Sequence, residues 1–271
     1  MEPLSGTPDK GFNMQENRPA KSKEQYREGA GRNLNARRLS ERLAAVAGRV
    51  EEGAVLADIG SDHAYLPCHL ALRGLISKGI AGEVAKGPFE SAAATIREEE
   101  LDGTVEARLA DGLDAIHPED GVDTVSIAGM GGPLIASILE RGKDRLDGVG
   151  RLVLQPNINA VAIRKWGVAN GWAVTGEEIL KEDGKIYEIL VLEPGHASYN
   201  DKELLFGPLL MKEKSEVFRE KWQREAFSWK QILRQMEQAS NAEEIGKRQE
   251  GLQQAIMMAT EVLEDGKSES Q

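Results

Sequence analysis

A chain of 271 residues with 40% hydrophobic content has room for one catalytic-size domain with a real core plus a further element. No stretch approaches the roughly 20 apolar residues of a membrane helix, the N-terminus lacks the apolar core of a signal peptide, and the single cysteine, Cys68, excludes an internal disulfide framework and a cysteine-based zinc cluster, so a cytoplasmic protein is expected. The net charge of −11 is uneven: residues 39–197 hold 15 Lys/Arg against 26 Asp/Glu, whereas residues 1–38 hold eight against five, as do residues 202–234.

Residues 1–33 are polar, Gly/Pro-containing and aperiodic, which predicts a disordered N-terminal extension. From Leu39 the apolar residues recur at helical spacing, with Ser40 near the start. Strands are then predicted over 54–59, 79–84, 104–109, 122–127 and 150–155. They alternate with helices over 64–75, 87–100, 133–141 and 159–170. Short apolar strands separated by helical patterns build βαβ units and a parallel, doubly wound sheet. Two further extended runs, 172–180 and 185–192, flank Asp183-Gly184 and predict a closing antiparallel hairpin. Pro194 to Ser198 breaks the composition. Beyond it, Phe218, Trp222, Trp229, Leu233 and Met236 mark one amphipathic helix, and Ile245, Leu252, Ile256, Ala259 and Leu263 mark another after a break near Ser240-Asn241. The expected organisation is an α/β domain over 34–197 and an antiparallel, coiled-coil-like helical hairpin over 198–271.

The chemistry gathers at strand ends. Asp58-Ile-Gly-Ser-Asp-His closes the first strand. Only Gly60 stands where a dinucleotide fingerprint needs three glycines, and a P-loop lysine is missing. Asp58 and Asp62 would repel phosphates, but suit the amino group, hydroxyls and sulfonium neighbourhood of S-adenosylmethionine. The plainer alternative is a strand-to-helix turn in which Asp62 caps the helix. Glu83 ends the second strand, about 20 residues after the glycine turn, where an acid accepts from ribose hydroxyls. Asp111-Gly112 follows the third strand in register with these acids; alone it reads as a turn. Gly129-Met130-Gly131-Gly132 closes the fourth strand at the switch point where ligands bind. Gln155-Pro156-Asn157 closes the fifth, and two amides flanking a proline can either read a base edge or simply form a turn. His69, His117 and His196 fit structural or exposed positions, no pair has metal-ligand spacing, and no metal is expected. Cys68 and the tryptophans of the C-terminal helices fit core positions.

Asp58 to Pro67, Ala81-Gly-Glu-Val, Gly87-Pro-Phe, Ala128-Gly-Met-Gly-Gly and Leu154-Gln-Pro-Asn, taken together and in this order, resemble the TrmK family, bacterial tRNA methyltransferases acting on N1 of the adenosine at position 22. The resemblance runs from about Leu39 into the C-terminal helices; residues 1–33 have no counterpart in it. It implies a class I methyltransferase with a Rossmann-like seven-stranded sheet, S-adenosylmethionine as cofactor and tRNA as partner, in a protein expected to be monomeric. By position, Asp58, Gly60, Ser61, Glu83, Asp111, Gly112 and Gly129 would line the cofactor pocket, with Arg42 reaching the cofactor carboxylate or RNA. Met130, Gly131, Gly132, Gln155, Pro156 and Asn157 would border the target base. Asp62 is the first candidate to stabilise the methylated, cationic ring, and His63 the second, as hydrogen-bond partner or proton acceptor. Arg37, Arg38, Lys212, Lys214, Lys221 and Arg224 would grip RNA, the last four on the first long C-terminal helix. A non-catalytic RNA-binding module retaining the fold is the alternative. A nicotinamide dehydrogenase is disfavoured by the missing glycines.

Overall fold

The computed structural model describes residues 34–237 and 243–265. The expected N-terminal arm, the break at Ser240-Asn241 and the frayed end lie outside them. Seven strands form one sheet in the order β3-β2-β1-β4-β5-β7-β6. β1 (Ala54–Ile59), β2 (Ile76–Glu83), β3 (Val105–Leu109), β4 (Thr124–Gly131) and β5 (Arg151–Ile158) run parallel. β6 (Trp172–Glu182) and β7 (Lys185–Pro194) close it as an antiparallel pair, with β7 against β5. The chain moves outward from β1 to β3, then returns to place β4 on the other side of β1. The carboxyl ends of β1 and β4 therefore flank the switch point.

Helices α1 (Glu41–Ala47), α2 (Tyr65–Leu72), α3 (Lys86–Glu98), α4 (Gly132–Arg141) and α5 (Val161–Ala169) cover the sheet. Alternation divides the core between its faces: Leu152 and Leu154 of β5 join one cluster with Ile135, Leu139 and Ile163, while Val153 faces Val46, Leu66 and Leu70 in another. Each such side chain contributes about 1.5–3 kcal/mol on burial. Ser40 caps α1 by accepting from the Leu43 amide (3.2 Å). α2 has no such cap. Its first turn follows Ala64, whose backbone is left-handed (φ 54°), and Asp62 is itself at φ 59°. The capping alternative for Asp62 is thereby excluded.

Some boundaries differ from expectation. β2 starts at Ile76, because Ala54 pairs with it across a register shift. β4 and β5 continue past 127 and 155: Met130 pairs with Pro156 and Gly131 with Ile158, again across shifts. Glycine and proline punctuate the sequence like a loop, but bulges keep them in the ladder.

After β7, two short helices precede the long ones: α6 (Asp201–Phe206), opened by an Asn200–Glu203 capping box, and α7 (Leu210–Glu213). Lys212 therefore lies on α7 and Lys214 in left-handed backbone after it, not on the long helix as expected. α8 (Glu216–Glu237) and α9 (Glu243–Glu264) pack through Phe218, Trp222, Ala226, Ala259 and Val262. Arg219 Nη1 donates to the Leu263 carbonyl (3.4 Å), so the start of α8 meets the end of α9 and the two run antiparallel. A buried ion cluster ties these helices to the sheet. Arg164 donates to Glu177 (2.8 Å), Glu188 (2.7 Å) and the Leu204 and Leu205 carbonyls, and Glu177 accepts from the Leu209 amide (2.8 Å). Burial opposes ionisation of Glu188, but Lys221 and Arg164 outweigh it and hold its carboxyl below the usual range. No described helix is long and apolar enough to cross a membrane.

Candidate active site

Five parallel strands bring their carboxyl ends to one edge, and most of the expected residues meet there. Asp58, at the end of β1, is 4% exposed. Its carboxylate accepts from Ser61 Oγ (2.5 Å) in the turn and from Ser126 Oγ (2.7 Å) on β4. Burial pushes its carboxyl above the ordinary range, against the pull of both hydroxyls. Glu83, at the end of β2, is equally buried and accepts from the Asp62 amide. Burial raises this carboxyl too, helped by the charges of Asp62 and Asp58 and opposed by that amide and His63. The turn is tied down by the Gly60 and Ser61 amides, which donate to the Gly82 carbonyl (2.9 and 3.4 Å). Gly60 sits at φ 72°, and a β-carbon there would collide with Met130 Cε. The left-handed backbone favours glycine here, and a larger residue would also have to push the Met130 side chain aside.

Asp62 and His63 stand above this layer. Their side chains are 74% and 45% exposed, with His63 Nε2 3.8 Å from Asp62 Oδ1. The imidazole stacks on Tyr65 (centroids 5.0 Å apart, planes at 16°). Asp111 is exposed at the end of β3, 3.4 Å from Arg141 Nη2, and begins the 3-10 turn that contains Gly112.

The β4–β5 side is organised by one buried amide. Gln155, fully buried, accepts at Oε1 from Arg42 Nη1 (2.5 Å) and from the Gly129 amide (3.0 Å). Its Nε2 donates to Asn157 Oδ1 (3.3 Å), and Asn157 Nδ2 donates to the Gly129 carbonyl (2.7 Å). These bonds fix both amide orientations and hold the Gly129 residue at its N–H and its carbonyl. Expected beside Asn157 as a base reader, Gln155 instead stands behind the loop and aims it. Arg42 is also turned inward: besides Gln155, its guanidinium lies 5.5 Å over the Tyr187 ring. The exposed Asn157 keeps one donor hydrogen and one acceptor lone pair for a ligand. Nothing in local sequence spacing signals this bracket, because its members come from α1, β4 and β5.

The expected RNA-facing cations are dispersed. Arg37 is exposed but pairs with Glu99 (2.7 Å), and Arg38 and Lys212 are exposed. Arg224 is exposed, with Nη1 donating to the Gly184 carbonyl (3.3 Å) and Nη2 to Glu220. Lys214 is half-buried, and Lys221, at 20% exposure, is committed to the buried Glu188. His69 donates from Nδ1 to the Ala36 carbonyl (2.8 Å), which makes it an anchor of the entry segment. Burial pushes the Cys68 thiol up to about 12, too high for a nucleophile at neutral pH. Among the described residues no group of three or more His, Cys, Asp or Glu side chains has metal-binding geometry.

S-adenosylmethionine suits this donor set. Two buried carboxylates whose charge is opposed by burial gain from a cation or from hydroxyl donors, and a phosphate would add further negative charge beside them.

A family model described as TrmK: tRNA (adenine(22)-N(1))-methyltransferase matches residues 56–261. The tRNA (adenine(22)-N(1))-methyltransferase of Bacillus subtilis (strain 168) is 45% identical over 239 residues, 86% of this chain and 100% of that protein. Among solved structures, the B. subtilis m1A22 tRNA methyltransferase TrmK superposes with a TM-score of 0.80 at 43% identity, covering 84% of this chain and 99% of that one. A Streptococcus pneumoniae protein described as a candidate tRNA (m1A22) methyltransferase, solved in complex with S-adenosyl-L-methionine, superposes with a TM-score of 0.76 at 43% identity, covering 83% and 99%.

Proposed function

The chain belongs to the TrmK family of tRNA (adenine(22)-N(1))-methyltransferases, and from that premise we propose how its own residues carry the activity. It is an S-adenosylmethionine-dependent enzyme that methylates N1 of adenine 22 in tRNA. The observation that carries the site assignment is the pair of buried carboxylates, Asp58 and Glu83, on adjacent strand ends beside an open glycine turn.

When bound, S-adenosylmethionine supplies an electrophilic methyl group. Glu83 would hold the ribose hydroxyls. Asp58 would set the Gly60-Ser61 turn against the rest of the cofactor, and Asp111 with Gly112 would meet its adenine. The target adenine must leave the RNA stack to reach these strand ends. Its N1 already carries a lone pair, so the protein's task is alignment and exclusion of water. Gly129 and Gly131 would leave space for a planar ring beside the Asn157 amide, whereas Gly132, expected at the base, is buried with the Asn159 carbonyl where a β-carbon would stand and so serves close packing of the α4 start. Asp62 offers negative charge to the ring as it becomes cationic, and His63, stacked on Tyr65, is its neighbour.

The division into a catalytic domain over 34–197 and a helical hairpin over 198–271 is part of this reading. So are a cytoplasmic location and RNA contact by Arg37, Arg38, Lys212 and Arg224. The experiment is methyl incorporation from labelled S-adenosylmethionine into tRNA from a strain lacking the modification, followed by mapping of the methylated nucleotide. Methylation confined to N1 of adenine 22 is expected. Tight tRNA binding with no incorporation would favour the non-catalytic RNA-binding alternative.

A further inference from the structure

Beside the strand ends lies a cleft of about 520 Å³, within the roughly 300–1,000 Å³ range of small-molecule sites. Its walls are the segment from Asn157 at the end of β5 to Val161 at the start of α5, the β6–β7 turn with the start of β7, Leu205 of α6, and α8. None of its lining residues comes from β1, β2 or β3, so it does not overlap the cofactor side. It begins at Asn157, the same side chain that flanks the target-base position. We propose that this cleft is a second base-binding site, which takes an unpaired nucleobase adjacent to the target adenine in the RNA strand. The proposal rests on the tRNA-methylating function above and adds a second nucleotide to what the enzyme holds.

The chemistry of the walls selects a base over a phosphate. Ile158, 70% exposed, places an apolar side chain at the strand end, on the lining of the cleft. Across from it stands Trp229, half-buried, its ring centroid 6.1 Å from that of the buried Trp222. Of the three cations that line the cleft, Lys221 is paired with the buried Glu188 and Arg224 with Glu220, and Lys185 is exposed. Glu225 adds a negative charge that a phosphate would have to approach. Arg224 spans from α8 to the Gly184 carbonyl (3.3 Å) and so ties the β6–β7 turn to the helix. The walls thus combine the Ile158 side chain, the Trp229 ring and the Asn157 and Asn159 amides with charges that are mostly paired, an environment that can stack a base without demanding a sequence. Turning one base out of an RNA stack also unstacks its neighbour, and the cleft offers that neighbour a replacement surface.

The test uses the full-length protein and three tRNAs: intact, abasic one nucleotide 5′ of the target, and abasic one nucleotide 3′ of it. For the wild-type enzyme, one abasic tRNA should show a KM raised on the order of tenfold with kcat unchanged. Trp229→Ala and Ile158→Ala should each raise KM on intact tRNA, and in both variants the abasic penalty should vanish. Trp229→Phe should restore most of the affinity. Wild-type KM on both abasic tRNAs, or penalties that multiply in the variants, would overturn the proposal. Anisotropy of a labelled single-stranded RNA trinucleotide gives a readout independent of turnover. Weaker binding by Ile158→Ala supports the cleft, and equal binding removes it, even if the wild-type enzyme proved inert on intact tRNA and the functional reading fell.

Discussion

Asp58 and Glu83 each occupy a position where burial opposes their charge, with no basic side chain bonded to either carboxylate among the described residues. A ligand that brings a cation or hydroxyl donors favours the charged forms, and it releases protons on binding in the pH window where these carboxyls are partly protonated. The sign follows from the raised pKa values: S-adenosylmethionine affinity should climb as pH rises from the ordinary carboxylate range through the raised folded values, then level off. Calorimetry in two buffers of different ionisation enthalpy checks this; a pH-independent affinity with no proton release would contradict it. Without ligand, the same two groups make the fold lose stability as pH rises through that window. Asp120 behaves oppositely. Arg108 and Lys78 hold its carboxyl far below the usual range, so its contribution is full above the ordinary carboxylate value and is lost as pH falls through the depressed one. Asp62 belongs to a third case. At 74% exposure it is well solvated, so its influence on a nearby cationic ring is about 1 kcal/mol or somewhat more. Asp62→Ala should slow single-turnover methylation roughly 5- to 10-fold at saturating cofactor; an unchanged rate would remove Asp62 from the mechanism.

At the level of elements, the site depends on how β4 and β5 end. Gln155 satisfies the Gly129 amide and Arg42 together, so Gln155→Ala should cost about 1–3 kcal/mol for each donor left without its acceptor. Because Gly129 and Asn157 lose their bracket while Asp58 and Glu83 keep theirs, KM for tRNA should rise with cofactor affinity nearly unchanged. Thermal unfolding and calorimetric titration measure the two effects separately, and parallel losses of cofactor and tRNA binding would count against the division. This bracket also marks the limit of what the sequence discloses. The parallel, doubly wound sheet was legible because short apolar runs alternate with helical periods, and Asp58, Glu83 and Asp111 were legible because each closes such a run. The continuation of pairing through Met130, Gly131 and Pro156 was not, since glycine and proline signal turns unless a neighbouring strand accommodates them by a shift. Nor was the inward turn of Gln155, whose partners are set by tertiary approach. Lys221 misled for the same reason: on an amphipathic helix it counts as a surface cation, and only the fold brings Glu188 beneath it.

For the whole molecule, the question is how a chain of net charge −11 grips a polyanion. Arg164 fixes the helical C-terminal part on the sheet. Arg164→Met would leave Glu177 and Glu188 with only Lys221 nearby, and the loss of a buried partner should cost about 3–5 kcal/mol in urea unfolding. The relative placement of α8 and the strand ends is thus set by a buried charge cluster. In the proposed reading contact falls to the exposed Arg38 and Lys212, with Arg37 shared with Glu99 and Arg224 with Glu220. Three or four phosphate contacts predict a shallow dependence of log affinity on log salt, with a slope of roughly −2 to −4, and a tRNA affinity that leans on base contacts for the remainder. Lys212→Ala should reduce that slope by about one. Lys221→Ala should leave the slope where it is and lower the unfolding free energy instead, because its removal leaves Glu188 buried with one cation fewer. If Lys221→Ala changed the salt slope as much as Lys212→Ala, the lysine would be a phosphate contact after all, and the ion cluster would have to open when tRNA binds.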